Sequence, residues 1–165
     1  MDKIKPNLWF DDQAQDAADF YCEVFDDAEV GEITRYGETG QDVTQKEPGS
    51  VMTVSWRIGD TTFVGINGGP QFKFDEAISF EITCEDQDEV DYYWEKLTAD
   101  GGSEGQCGWC KDKFGVSWQV VPKGFAELMS EGDSEKIERA MAAMFKMQKL
   151  DIAELRRAAE GTPAA

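Results

Sequence analysis

Residues 51–58 and 61–66 are two runs rich in β-branched and aromatic side chains, and only Gly59 and Asp60 lie between them. A pair of this kind closes as an antiparallel hairpin, because Gly-Asp supplies a turn whose twist matches the strands it joins. A lone hairpin is marginal in water, so the chain has to bring more strands and a covering helix. The residues before it do so. Residues 4–10 are extended in character, and Asp11-Asp12 offers a helix cap. Ala14, Ala17, Ala18, Tyr21, Cys22 and Phe25 then recur at three- and four-residue spacing, which predicts an amphipathic helix over 13–25. Residues 30–36 predict a strand, and the polar stretch 37–49, with its glycines and Pro48, predicts a mobile loop.

The second half repeats the order. Residues 77–84 alternate, with Ile78, Phe80, Ile82 and Cys84 on one face and Ser79, Glu81 and Thr83 on the other. Residues 85–99 predict a helix with a stripe of Val90, Tyr93, Trp94 and Leu97, stopped by Gly101-Gly102. Residues 104–110 and 116–121 predict a strand pair around Lys113-Phe114-Gly115. From residue 124 the chain reads as helical, Ala140, Met141, Met144, Phe145, Met147 and Leu150 lining one side, and residues 160–165 are expected to fray. Each half alone would leave one face of a small sheet bare, so the halves should pair. The expected fold is α+β: two βαβββ-like modules forming a curved half-barrel sheet, with added C-terminal helices. Module one spans about 1–75, module two about 76–123 and the helical extension about 124–160, within a single domain over 1–165.

Charge and composition narrow the function. The net charge is −18, which would repel a phosphate backbone or an anionic membrane face, so neither nucleic acid nor membrane is an expected partner. There is no histidine, which removes Ser-His and Cys-His nucleophile pairs and every imidazole-liganded metal site. No apolar run approaches the roughly 18 residues that span a bilayer, the N-terminal residues lack the apolar core of a signal peptide, and four cysteines are too few for a disulfide scaffold. A cytoplasmic location with reduced thiols is expected. The acidic excess reads either as a solvated surface or as adaptation to high salt, and the sequence leaves both open.

Three stretches carry a family resemblance. They are Leu8-Trp9-Phe10-Asp11 leading into Ala18-Asp19-Phe20-Tyr21; Asn67-Gly68-Gly69-Pro70-Gln71-Phe72-Lys73-Phe74 with Ala77-Ile78-Ser79-Phe80; and Gly105-Gln106-Cys107-Gly108-Trp109 with Gly115-Val116-Ser117-Trp118-Gln119-Val120-Val121-Pro122. Together they resemble the PhnB-like branch of the vicinal-oxygen-chelate superfamily, the group of glyoxalase I, bleomycin-resistance proteins and extradiol dioxygenases. The resemblance runs from about residue 4 to residue 153 and implies the paired βαβββ fold and a homodimer. Members of this branch often carry the label 3-demethylubiquinone-9 3-methyltransferase-like. Methyl transfer from S-adenosylmethionine usually needs a Gly-rich strand-to-helix turn, and Asn67-Gly68-Gly69-Pro70 opens no helix, so that activity is disfavoured.

The superfamily's chemistry uses a divalent metal held on inner strands. Here residues 4–10 and 61–67 offer no His, Cys, Asp or Glu. Ser79 stands where the superfamily often has His, and Gln119 where Glu is usual, leaving Glu81 as one carboxylate. No metal and no cofactor are expected. Cys107-x-x-Cys110 lacks a second pair for zinc and a helix N-terminus for redox work, so structural thiols are the favoured reading, with Cys107 kept as a pocket residue. Trp9, Trp109 and Trp118 serve the core or wall an apolar pocket. The methionines at 141, 144 and 147 are read as packing against the sheet or a dimer mate. The first expectation is a small-molecule-binding protein with an apolar, metal-free cleft and contacts from Asn67, Gln71, Phe72, Ser79, Cys107, Trp109 and Gln119. The alternative is an enzyme using Glu81 as acid or base on a small carbonyl or aromatic compound.

Overall fold

The computed structural model describes residues 3–39, 41–131 and 133–161. The chain divides into two compact units, Met1–Phe74 and Asp75–Ala165. The first contains β1 (Asn7–Phe10), α1 (Ala14–Val24), β2 (Ala28–Arg35), a short α2 (Gln41–Thr44), β3 (Val51–Ile58) and β4 (Thr61–Asn67). Its sheet runs β1-β4-β3-β2. The β1–β4 pair is parallel, with Trp9 opposite Ile66, and the other pairs are antiparallel. The expected hairpin is β3–β4, and Gly59 takes the turn with φ 54°.

The spacing in α1 puts Ala14, Ala17, Ala18, Tyr21 and Val24 in the core. Small residues on that face let the helix lie close on the sheet, where Leu8, Phe10, Val54, Trp56 and Phe63 are buried. Trp56 stacks between Tyr21, at 5.4 Å between ring centroids, and Phe63, at 5.6 Å. Such pairs add about 1 kcal/mol each beyond the area they bury. The loop expected over 37–49 contains the one-turn helix α2, all of whose side chains are exposed.

The second unit contains β5 (Phe80–Cys84), α3 (Gln87–Thr98), β6 (Ser103–Glu104), β7 (Trp109–Lys111) and β8 (Ser117–Pro122), followed by α4 (Lys123–Glu131), α5 (Ser134–Met144) and α6 (Ile152–Ala159). Its sheet runs β5-β8-β7-β6 with β5–β8 parallel, the same plan as the first. Both units are therefore βαβββ modules, and the chain is α+β. Val90, Trp94 and Leu97 of α3 are buried, as are Cys84, Cys110, Trp118 and Val120 of the sheet. Asp86 caps α3 by accepting from the Glu89 N–H at 3.0 Å, and Glu89 reaches back to the Glu85 N–H at 2.8 Å. No helix among the described residues is long and apolar enough to cross a membrane.

The structure departs from the sequence pattern in three places. The strand expected over 77–84 begins only at Phe80, because Asp75 turns its carboxylate onto the Ala77 N–H at 3.0 Å and holds that stretch in a turn. The strand expected over 104–110 is two short pieces, β6 and β7, separated by a turn in which Cys107 has φ 60° and Gly108 φ 83°. The continuous C-terminal stripe is also broken. Residues after Met144 leave the helix, Phe145 is 60% exposed, and Leu150 is buried on a non-helical segment. Asp151 then starts α6 by accepting from the Glu154 N–H at 2.8 Å. Of the tail expected to fray, residues 162–165 lie outside the described residues.

Candidate functional site

The strand pleat of the second unit separates two faces. Phe80, Ile82 and Cys84 pair with Trp118, Val120 and Pro122, and Cys110 lies opposite Trp118 on the same side, which α3 covers. The other face presents a row set by register: Glu81 opposite Gln119, and Gln119 opposite Trp109. Ser79 joins it by accepting from Gln119 Nε2 at 2.9 Å. Gln119 and Trp109 are half-buried, and Glu81 is exposed with no hydrogen-bond or ion-pair partner among the described residues. Ser79, Glu81, Trp109 and Gln119 are thus brought together.

Next along the face, Lys111 lies opposite Ser117 and pairs with Glu76 at 2.5 Å. The hydrogen bond from Lys111 holds the Glu76 carboxyl below the usual carboxylate range. Around these groups lies a cavity of about 170 Å³ lined by Trp109, Lys111, Glu76, Glu104 and Ser117, among others. Glu104 is held by the Trp94 indole N–H at 3.0 Å. Sequence reasoning missed Lys111 and Glu76. Lys111 carries a signal, since it stands two residues from Trp109 and so shares its face, whereas Glu76 reaches the site from a turn with no periodicity.

Asn67, Gln71 and Phe72 belong to the first unit. The Asn67 side chain is 4% exposed and spent within the fold. Its Oδ1 accepts from the Ala14 N–H at 2.8 Å, satisfying a donor in the first turn of α1, and its Nδ2 donates to the Val51 carbonyl at 3.2 Å. Gln71, with its amide nitrogen turned inward, donates to the carbonyls of Gly68 and Gly69 at 3.1 Å. Phe72 is exposed and meets Trp9 edge-on at 5.1 Å. Trp9 lies over Gly68 and donates through Nε1 to the Gly69 carbonyl at 2.8 Å.

The cysteines are all free thiols. Burial pushes Cys84 and Cys110 up to about 12, and burial also raises Cys22. Cys107 is half-buried in its turn rather than on the strand face. The divalent ion of the superfamily finds no matching donor set. Among the described residues no group of three or more His, Cys, Asp or Glu side chains is placed to hold a metal ion. On the open face the Ser79 hydroxyl and Gln119 amide bond to each other, which leaves Glu81 a single carboxylate. The described residues do not fit such an ion.

A model of the family described as 3-demethylubiquinone-9 3-methyltransferase matches residues 2–121. A PhnB protein from Bacillus cereus is similar at 31% identity with a TM-score of 0.64, over 73% of this chain and 99% of that one. A Pseudomonas aeruginosa protein is similar at 18% identity and a TM-score of 0.58, over 74% and 98%. A Bacillus cereus protein described as a possible glyoxalase gives 16% identity and a TM-score of 0.47, over 73% and 98%. No curated protein matches. The family match ends at residue 121, so α4, α5 and α6 lie beyond it, whereas the resemblance in the sequence runs to about residue 153.

Proposed function

The chain belongs to the PhnB-like, 3-demethylubiquinone-9 3-methyltransferase-like branch of the vicinal-oxygen-chelate superfamily, and on that premise we propose that it binds a small molecule on the open face of the second module. The observation that carries the reading is the row Glu81, Gln119, Trp109 in register, with Gln119 steadied by Ser79. Trp109 offers an aromatic wall, the Gln119 amide a fixed polar contact and Glu81 a carboxylate with no partner among the described residues, the mixture by which small-molecule sites hold and orient a ligand. Binding here needs no metal and no cofactor. The protein is cytoplasmic and homodimeric in this proposal, which rests on its thiols and on the family resemblance.

Native mass spectrometry of the protein as purified tests the site. A retained small molecule that is lost in Trp109→Ala supports it, whereas a molecule retained equally in Trp109→Ala and Gln119→Ala places the ligand elsewhere. The second reading, acid–base catalysis by Glu81, is favoured by one observation, the absence of any partner for that carboxylate among the described residues. Glu81→Gln separates the two, since it abolishes turnover under the enzymatic reading and leaves affinity for a neutral ligand largely intact under the binding one. Methyl transfer rests on the family description alone. Beyond β4 the chain leaves Asn67-Gly68-Gly69-Pro70 without entering a helix, and calorimetric titration with S-adenosylmethionine giving no heat retires it.

A further inference from the structure

The turn between β6 and β7 is held from outside the sheet. Cys107 and Gly108 both have positive φ, and a non-glycine residue stays in that region only when its surroundings fix it there. What fixes it is the segment between α5 and α6. The Cys107 N–H donates to the Met147 carbonyl at 2.8 Å and the Gly108 N–H to the Gln148 carbonyl at 2.7 Å. Leu150, 1% exposed, closes on Gly108 so tightly that a Cβ there would meet Leu150 Cγ and Cδ1 at 3.1 Å and the Val120 carbonyl oxygen at 2.9 Å.

The segment is in turn tied to α3. Gln87 donates through Nε2 to the Leu150 carbonyl at 3.1 Å and accepts through Oε1 from the Ile152 N–H at 2.9 Å, one side chain gripping both sides of Asp151. Lys149 Nζ lies 2.6 Å from Asp91 Oδ1, on the same helix as Gln87. Past the turn, the Val120 N–H donates to the Gly108 carbonyl at 2.8 Å, and the next residue is Trp109, opposite Gln119 in the proposed site. We infer that residues 147–150 are a strap that fixes the turn at Cys107-Gly108 and through it sets the Trp109 indole on the open face, with Leu150 and Gln87 as positioning residues. The functional meaning of this inference rests on the proposed binding face; the mechanical coupling does not.

The test uses the full chain labelled with 5-fluorotryptophan and needs no ligand. Trp109→Phe assigns the Trp109 resonance among the five tryptophans. In Leu150→Ala and in Gln87→Met, the Trp109 resonance shifts or broadens, and the Cys107 and Gly108 amides exchange about tenfold faster, the equivalent of one lost buried hydrogen bond. The Trp56 resonance, from the first unit, stays put and reports an intact fold. Leu150→Met, which conserves volume, returns Trp109 to its native position. If Leu150→Ala fails to fold, Gln87→Met still decides, because it deletes the hydrogen bonds of Gln87 to Leu150 and Ile152, with its bond to Asp91, and no core volume. A Trp109 resonance that does not move while the two amides lose protection overturns the coupling, and amides that keep their protection overturn the strap itself. Either result leaves the binding proposal standing, and failure to find a ligand leaves this one standing.

Discussion

Asp112 is a buried carboxylate, 2% exposed, in the turn between β7 and β8. Its Oδ1 accepts from the Phe114 N–H at 2.9 Å and the Val116 N–H at 3.0 Å, and its Oδ2 from the Trp118 indole N–H at 2.8 Å. In Asp112→Ala the Phe114 N–H, which is only partly buried, can turn to water. The Val116 N–H and the Trp118 indole cannot. Each stranded donor costs about 1–3 kcal/mol, so the loss is about 4 kcal/mol, out of a total stability of about 5–15 kcal/mol. Asp112→Asn keeps an acceptor for the two backbone donors but sets an NH₂ against the indole N–H. It strands both the indole N–H and its own NH₂ and costs about 4 kcal/mol, about as much as alanine. Urea unfolding followed by tryptophan fluorescence measures both. With a slope of about 2 kcal/mol/M, the midpoint falls by about 2 M for either variant. Either variant staying within about 0.5 M of the parent would refute the reasoning.

Asp91 titrates below the ordinary carboxylate range, first because of its bond from Lys149 and then that from Gln87. Its contribution is therefore complete above the unfolded carboxylate pKa and is lost as pH falls through the lowered folded value. The pair is solvent-exposed, so the change is under about 1 kcal/mol, and Asp91→Asn should flatten that part of the acid side of the stability–pH curve. Cys84 and Cys110, both pushed to about 12 by burial, should resist iodoacetamide at pH 8 in the folded protein and react only on unfolding; labelling of either in the native state contradicts their placement. A Cβ on Gly68 would lie 2.0 Å from the Trp9 ring, so Gly68→Ala should expel that indole, break its bond to the Gly69 carbonyl and cost about 2 kcal/mol or more. A red-shifted tryptophan emission maximum is the readout, and an unshifted spectrum would show that the ring stays.

Part of the candidate site was legible because a strand has a fixed period. The alternation of Ser79, Glu81 and Thr83 against Phe80, Ile82 and Cys84 already separates an open face from a core face, and Glu81 and Ser79 fall on the open one. Asn67 was legible as a residue of interest but not in its work. Its partners, Ala14 and Val51, are 53 and 16 residues away in sequence, and no local pattern announces them. Glu76 is hidden for the same reason, whereas Lys111 is legible from the strand period that puts it on the face of Trp109.

The amino-acid order alone settled the βαβββ run of the first module, the Gly59 hairpin and the apolar stripe of α1, because helix and strand periods are properties of consecutive residues. It also made residues 145–150 look like more helix. Tertiary contacts overrode that preference: two carbonyls of the segment serve the Cys107 and Gly108 N–H groups, and Leu150 fills the space beside Gly108. Helix propensity is worth a few tenths of a kcal/mol per residue, whereas a buried leucine and satisfied buried donors are worth several together. Where those competing terms meet, the packed structure decides.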